Sequence, residues 1–364
     1  IIANGDLRSD TLIWNQYLNS WMNVSEWFVS YPINNYNVTL NIGDYVNFSE
    51  AYVSGNDTLK MDYYVLHDNL EKAKSHFQQV KPMMECFENY FGKYPFWKDG
   101  YALVETPYLG MEHQSAIAYG NDFLPGYHGN TSHIDGLEFD FIIVHESGHE
   151  WWGNSITTND IADMWIHEGF TAYSENLFLN YHYGKEAGAD YTIGTRKGIK
   201  NEKPIIGIYD VNSKGSGDMY SKGANLLHTI RQITNDDEKW RKTLRGLNKT
   251  FYHQTVTSNQ VENYISENIG FDLKYIFDQY LRDIRIPTLE YTIKDKKLKY
   301  KWSNTINGFN MPIEIIIDKK KKWLYPTNSW KEMSIKNQTI FYISELYRQT
   351  ILLLFTSVNS LIAI

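Results

Sequence analysis

Cysteine is nearly absent. One residue, Cys86, in a chain of 364 excludes an internal disulfide framework and any zinc site built from several thiolates. A metal centre here has to be assembled from histidines and carboxylates. Positive charge is also in deficit, with 35 Lys and Arg against 43 Asp and Glu and a net charge of −8. That balance, with no basic block large enough for a phosphate-binding face, excludes nucleic acid as the main partner. Long apolar runs are missing too. Residues 350–364 carry Leu352-Leu353-Leu354-Phe355 but also Thr356, Ser357, Asn359 and Ser360. They fall short of the roughly 20 residues a membrane span needs and read as a last buried strand or helix. What is present suffices for a folded protein: 42% of residues are hydrophobic, on a length of about two domains. The chain opens on Ile1-Ile2-Ala3, without a basic segment leading into an apolar one, and is expected to be a fragment or a processed form. Asn-x-Ser/Thr triplets at Asn23, Asn37, Asn47, Asn56, Asn130, Asn248 and Asn337 are expected by chance in an Asn-rich chain.

Hydrophobic periodicity divides the chain into a β tail, a mostly helical middle and a β end. Trp27, Val29 and Tyr31 alternate, as do Val38, Leu40 and Ile42, with turns at Gly43-Asp44 and Gly55-Asn56-Asp57. From Met61 to Phe91 the apolar spacing predicts helix broken at Pro82, and Tyr101 to Val104 a short buried strand. Longer helices are predicted over Phe139–Asn154, Met164–Tyr183 and Tyr220–Ile233. Thr257-x-x-Gln260 reads as a capping box opening another helix, followed by one over Leu273–Leu281. Beyond Pro287, strands are predicted around Leu289-Tyr291-Ile293, Leu298-Tyr300-Trp302 and Ile313–Ile317. The Lys-rich runs at 294–299 and 319–322 read as solvated turns.

Chemistry concentrates in His145-Glu146-Ser147-Gly148-His149. Two histidines four apart on a helix present their imidazoles on one face, where both can bind one zinc beside the intervening Glu. A shuffled chain would contain this motif about once in fifty trials. Glu168, 19 residues past His149 on the next predicted helix, completes a set of two histidines and one carboxylate with a position left open. Requiring it lowers the chance rate to about one in nine hundred.

The stretch His-Glu-x-x-His-x-Trp-x-Gly-Asn at 145–154, followed by Trp-x-x-Glu-Gly-Phe-x-x-Tyr at 165–173, resembles the gluzincin aminopeptidases of the aminopeptidase N type, leukotriene hydrolase-like members included. Gly110-Met111-Glu112-His113 is similar to the family's exopeptidase motif Gly-x-Met-Glu-Asn. Tyr220-Ser221-Lys222-Gly223-Ala224 is similar to the segment with its catalytic Tyr. The resemblance implies an α+β chain: a mainly helical, thermolysin-like zinc peptidase domain over 58–286, after the end of an N-terminal β domain (1–57) and before a small C-terminal β sandwich (287–345). Residues 346–364 form an unassigned apolar tail.

It further implies one Zn2+ per chain on His145, His149 and Glu168, and peptide substrates with a free N-terminus. Glu146 would be the general base toward a zinc-activated water, and Tyr220 the oxyanion donor. Glu112 would anchor the α-ammonium, with Met111 and Gly110 beside it. Glu175, two helical turns past Glu168, would orient a ligand or the amine subsite. Asp163 would accept from a ligating histidine or simply start a helix. The remaining histidines, His67, His76, His128, His133, His167, His182, His228 and His253, read as packing residues. Leu109, His113 and His167 depart from the family pattern in a way that resembles bacterial branches, and the large helical domain of many members is not matched. A zinc endopeptidase with the same ligands and a catalytically impaired peptide-binding remnant stay open. Glu112 argues against the first, and intact Glu146 and Tyr220 argue against the second.

Overall fold

The computed structural model describes residues 1–317, 320–335, 341–343 and 360–363, the last two stretches by backbone alone. The chain forms two compact units. One comprises Ile1–Thr157, Ser174–Gly184 and Leu244–Thr255, and the other Thr158–Tyr173, Lys185–Thr243 and Val256–Ile364.

The first unit is organised on a five-stranded sheet in the order Tyr45–Ser54, Asp57–Leu66, Tyr101–Glu105, Ile117–Tyr119, Gly110–Met111. The outer pairs are antiparallel and the two inner pairs parallel. Leu59, Met61, Tyr63 and Val65 alternate inward along the second strand and are fully buried. The helix predicted from Met61 therefore begins later, as Leu70–His76 and Val80–Phe91, with Pro82 in the first turn of the second, where its missing N–H costs nothing. Tyr63, Tyr64 and Val65 also fit a 3.6-residue period. Pairing with the hairpin strand Tyr45–Ser54 on one side and with the distant Tyr101–Val104 on the other decides against it. The expected boundary at 57/58 falls at the tip of the Tyr45–Ser54/Asp57–Leu66 hairpin, so both arms share this sheet.

Ahead of the sheet, Asp6–Asn15 and Ser20–Phe28 form a long hairpin, so residues 29–31 lie past the strand expected there. Of the alternation around Leu40, only Leu40–Asn41 is strand, paired with Ile2–Ala3.

In the second unit the helices Lys185–Gly194, Ser221–Thr234, Ser258–Ile269 and Lys274–Arg282 precede two small antiparallel sheets. The capping box at Thr257 and Gln260 is formed. Leu289 faces Trp302, and Tyr291 faces Tyr300, on one buried face. Ser360–Ala363 pairs with Thr288–Lys294, so that part of the apolar tail is strand; residues 350–359 and 364 lie outside the described residues. Lys320–Lys322, expected in a turn, are exposed residues of the strand Lys320–Leu324. Among the described residues, no helix is long and apolar enough to cross a membrane.

Candidate active site

The helix Phe141–Gly148 starts where Asp140 caps it. One Asp140 oxygen accepts from Ile142 N and Ile143 N at 2.8 and 3.2 Å, and the other from Tyr119 OH at 2.8 Å. After the half-buried Phe141, every residue from Ile142 to Gly148 is buried. It stops at Gly148, short of the predicted Asn154, because the chain turns there: Asn154 N bonds His149 O, and Gly153 adopts φ 128°. His145 and Glu146 thus stand in the last turn with His149 at the C-cap, all three buried. His145 Nδ1 lies 2.8 Å from Glu175 Oε1, and His149 Nδ1 lies 2.9 Å from the Trp152 carbonyl. With Nδ1 committed to an oxygen in each ring, Nε2 is the nitrogen for a metal.

Glu168 occupies the first turn of the helix Trp165–Tyr183, which also carries Glu175. Ligand atoms of His145, His149 and Glu168 lie within 4.8 Å of one another. Two imidazoles and one carboxylate fit zinc and not the all-oxygen shells of calcium or magnesium.

Gly110–Met111 is the edge strand of the sheet, pairing with Tyr119 and Ala118. Glu112 follows it and is buried, with a carboxylate oxygen, one of Glu146 and a His149 nitrogen within 4.8 Å of one another. Gly110 packs directly on this helix: a Cβ there would stand 2.8 Å from Glu146 Oε1 and 2.9 Å from Ile142 Cγ2, so those side chains would have to shift. Burial pushes the His113 imidazole below its ordinary range, against the pull of Glu112, so it is neutral at pH 7 and presents one donor and one acceptor, as an amide does.

Tyr220 is the N-cap residue of Ser221–Thr234 and is 41% exposed. Two glycines set this helix against the one bearing Glu168. A Cβ on Gly223 would stand 2.8 Å from Gly169 Cα, and one on Gly169 would stand 3.2 Å from the Met219 carbonyl oxygen. The residues adjoining Glu168 and Tyr220 are therefore in backbone contact.

Asp163 does not reach a ligating histidine. It accepts from Tyr209 OH at 2.6 Å, from Ser258 N at 3.0 Å and from Ser258 Oγ, tying down the start of Ser258–Ile269. The helix that it ties down starts 95 residues on and is not the one that it precedes in sequence. His167 accepts from Thr158 N at 3.0 Å and stays a packing residue.

Sequence reasoning passed over Glu150 and Asn154, although both lie inside the motif. Glu150 is buried and accepts from Ser115 N at 2.8 Å, and burial pushes its carboxyl up to about 8. Asn154 Nδ2 donates to the Glu112 carbonyl at 2.9 Å. Only the fixed Asn of the motif hinted at this.

A model of the peptidase family M1 domain matches residues 75–280. Among curated proteins, the chain is 24% identical to endoplasmic reticulum aminopeptidase 1 of Mus musculus over 239 residues, covering 62% of this chain and 25% of the relative. It is 22% identical to aminopeptidase N of Lactococcus lactis over 263 residues, covering 68% and 30%. The chain thus spans about a quarter to a third of the length of these relatives. Among solved structures, aminopeptidase A of Legionella pneumophila, in complex with aspartic acid, superposes with a TM-score of 0.72 at 17% identity, over 94% of this chain and 41% of that one. This likeness shows the α+β fold.

Proposed function

The chain belongs to the M1 family of peptidases, and from that membership we propose that it is a zinc aminopeptidase that removes N-terminal residues from peptides. The observation that carries the reading is the placing of Glu112 beside Glu146 and His149, next to the His145, His149 and Glu168 cluster. A carboxylate at that point pairs with a free α-ammonium by a charge-assisted hydrogen bond and closes the cleft to longer N-terminal extensions.

His145, His149 and Glu168 would hold the zinc. Bound there, zinc supplies Lewis acidity, polarising the scissile carbonyl and making water acidic enough to ionise near neutral pH. Glu146 takes the proton from the attacking water and returns it to the leaving amine, a general base and then a general acid. Tyr220 donates its hydroxyl to the oxyanion that develops on the carbonyl. Glu175 and the Trp152 carbonyl hold the two imidazoles in one tautomer and orientation. Aminopeptidase A of Legionella was solved with an amino acid, which fits a site that grips one residue by its amine.

The experiment is turnover of an L-amino-acid amide against its N-acetylated counterpart by zinc-loaded protein, with and without Glu112→Ala. The free-amine substrate is expected to be strongly preferred, and Glu112→Ala to erase most of that preference. Equal cleavage of both substrates in both proteins would make the chain an endopeptidase. Zinc binding without turnover of either would make it a peptide-binding remnant.

A further inference from the structure

Three buried asparagines form a hydrogen-bonded chain ending on the loop that carries Glu112. Asn4, Asn37 and Asn154 are at most 6% exposed. Asn154 Nδ2 donates to the Glu112 carbonyl at 2.9 Å, and its Oδ1 accepts from Asn37 Nδ2. Asn4 Nδ2 bridges the Asn37 carbonyl at 3.0 Å and the Gln114 carbonyl at 2.7 Å, while its Oδ1 accepts from Thr39 N at 2.7 Å. One residue further, Gly5 N donates to Ser115 Oγ at 2.9 Å, and Ser115 N donates to Glu150 at 2.8 Å. Ser115 sits at φ 57°, a conformation a non-glycine residue keeps only when its surroundings impose it.

The backbone of Glu112, Gln114 and Ser115 is therefore held from two directions. One is the motif stretch that also supplies His149, and the other is a segment about 110 residues upstream. The amides of Asn4 and Asn154 are used at both ends, and Asn37 joins the chain through its Nδ2 and its backbone carbonyl. Asn37 heads an Asn-x-Thr triplet, yet its complete burial removes it as a surface acceptor.

We propose that Asn4, Asn37 and Asn154 are positioning residues for substrate selection: through the loop backbone they fix where the Glu112 carboxylate stands relative to Glu146. The inference rests on the reading of Glu112 as the amine anchor. The residues at 4 and 37 then act on selectivity without touching substrate. A displaced carboxylate weakens capture of the α-ammonium, while the base and the metal ligands, carried on other elements, stay in place.

The test measures kcat and KM for the amide with a free amine and for its N-acetylated form, with zinc content measured in parallel. Four proteins are compared: wild type, Glu112→Ala, Asn37→Ala and Asn34→Ala. Asn34 is the control for plain stability. Its side chain ties the same upstream segment to Gly153 O at 3.0 Å and Thr157 Oγ1 at 3.1 Å without meeting the loop. Asn37→Ala is expected to raise KM for the free-amine substrate about tenfold. Its kcat should stay within about twofold and its zinc at the wild-type level, so the preference for free amine falls by the KM factor; Asn34→Ala leaves that preference unchanged. If Asn37→Ala does not fold, Asn4→Ala cuts the tie to Gln114 from the other end, with the same expectation. Loss of preference in Glu112→Ala but not in the asparagine variants overturns the positioning role alone. Equal loss in Asn34→Ala and Asn37→Ala reduces it to general stability. Unchanged preference in Glu112→Ala overturns the anchor reading, and the positioning role with it.

Discussion

Replacing Gly110 with alanine adds one methyl group and should push aside the carboxylate of Glu146, the proposed base, without altering Glu146 itself. Gly110 has no positive φ, so alanine is allowed there by the backbone, and any effect comes through space. The new Cβ would stand 2.8 Å from Glu146 Oε1, 2.9 Å from Ile142 Cγ2 and 3.1 Å from Glu146 Cγ, where ordinary contact begins at 3.4 Å. Ile142 is itself buried and has little room to yield. The carboxylate must therefore retreat by about 0.6 Å, the difference between 3.4 and 2.8 Å. A misplacement of about 1 Å can cost about 10²-fold in rate, so kcat should fall roughly ten- to a hundredfold. Overpacking costs about 1–3 kcal/mol, and the lost chain entropy of glycine returns about half a kcal/mol or more, leaving the protein folded. Steady-state kinetics on a free-amine amide, with zinc measured on the same preparation, is the assay. Wild-type kcat in a zinc-loaded Gly110→Ala protein would refute the close packing of the edge strand against the base.

Tyr220→Phe should lower kcat about 10²-fold with KM nearly unchanged, as expected of a lost oxyanion donor; a change in KM alone would make the tyrosine a substrate-binding residue. Glu175→Ala should weaken zinc binding about 10- to 100-fold in a chelator competition, because His145 loses the partner 2.8 Å from its Nδ1; unchanged affinity would deny that role. Asp237 tests the pH behaviour of the fold. Burial raises its pKa, but hydrogen bonds and charge from Arg231 and Lys185 outweigh this and bring it down to about 2. A depressed carboxylate stabilises the fold above its unfolded pKa of about 3.9, and that contribution is lost as pH falls through about 2. Solvent reaches the pair, so Asp237→Asn should cost at most about 1 kcal/mol at pH 7, with the difference from wild type vanishing on acid titration.

The parts of the fold that were readable in advance are those written in local spacing. Two histidines four apart and a carboxylate on the next helix form a group that could hold a metal ion. The capping box needed only Thr257 and Gln260, and the C-terminal strands needed only their alternation. The misreadings share a long-range cause. Residues 61–66 carry both periods, and pairing with Tyr45–Ser54 on one side and with a strand some 40 residues on at the other makes them strand. Asp163 sits before a helix but serves Ser258, 95 residues on. The helices Lys185–Gly194 and Asp237–Thr250 leave little trace in apolar spacing, because the first is mostly small residues and the second is largely polar. Within the site, His145, Glu146 and His149, proposed as two ligands and the base, lie on one short motif visible in the sequence. What holds the Glu112 loop comes from Asn4 and Asn37, residues whose type says nothing about their partner until the chain has folded.

Metal stoichiometry and turnover, measured together on wild type, Glu146→Gln and His149→Ala, test the zinc aminopeptidase reading most directly. Wild type is expected to hold one zinc per chain and to release the N-terminal residue of a free-amine peptide. Glu146→Gln should keep the zinc and lose turnover, since an amide cannot take the proton, and His149→Ala should lose stoichiometric zinc. Full zinc occupancy in His149→Ala, or near wild-type turnover in Glu146→Gln, would contradict the assignment of ligands or of base.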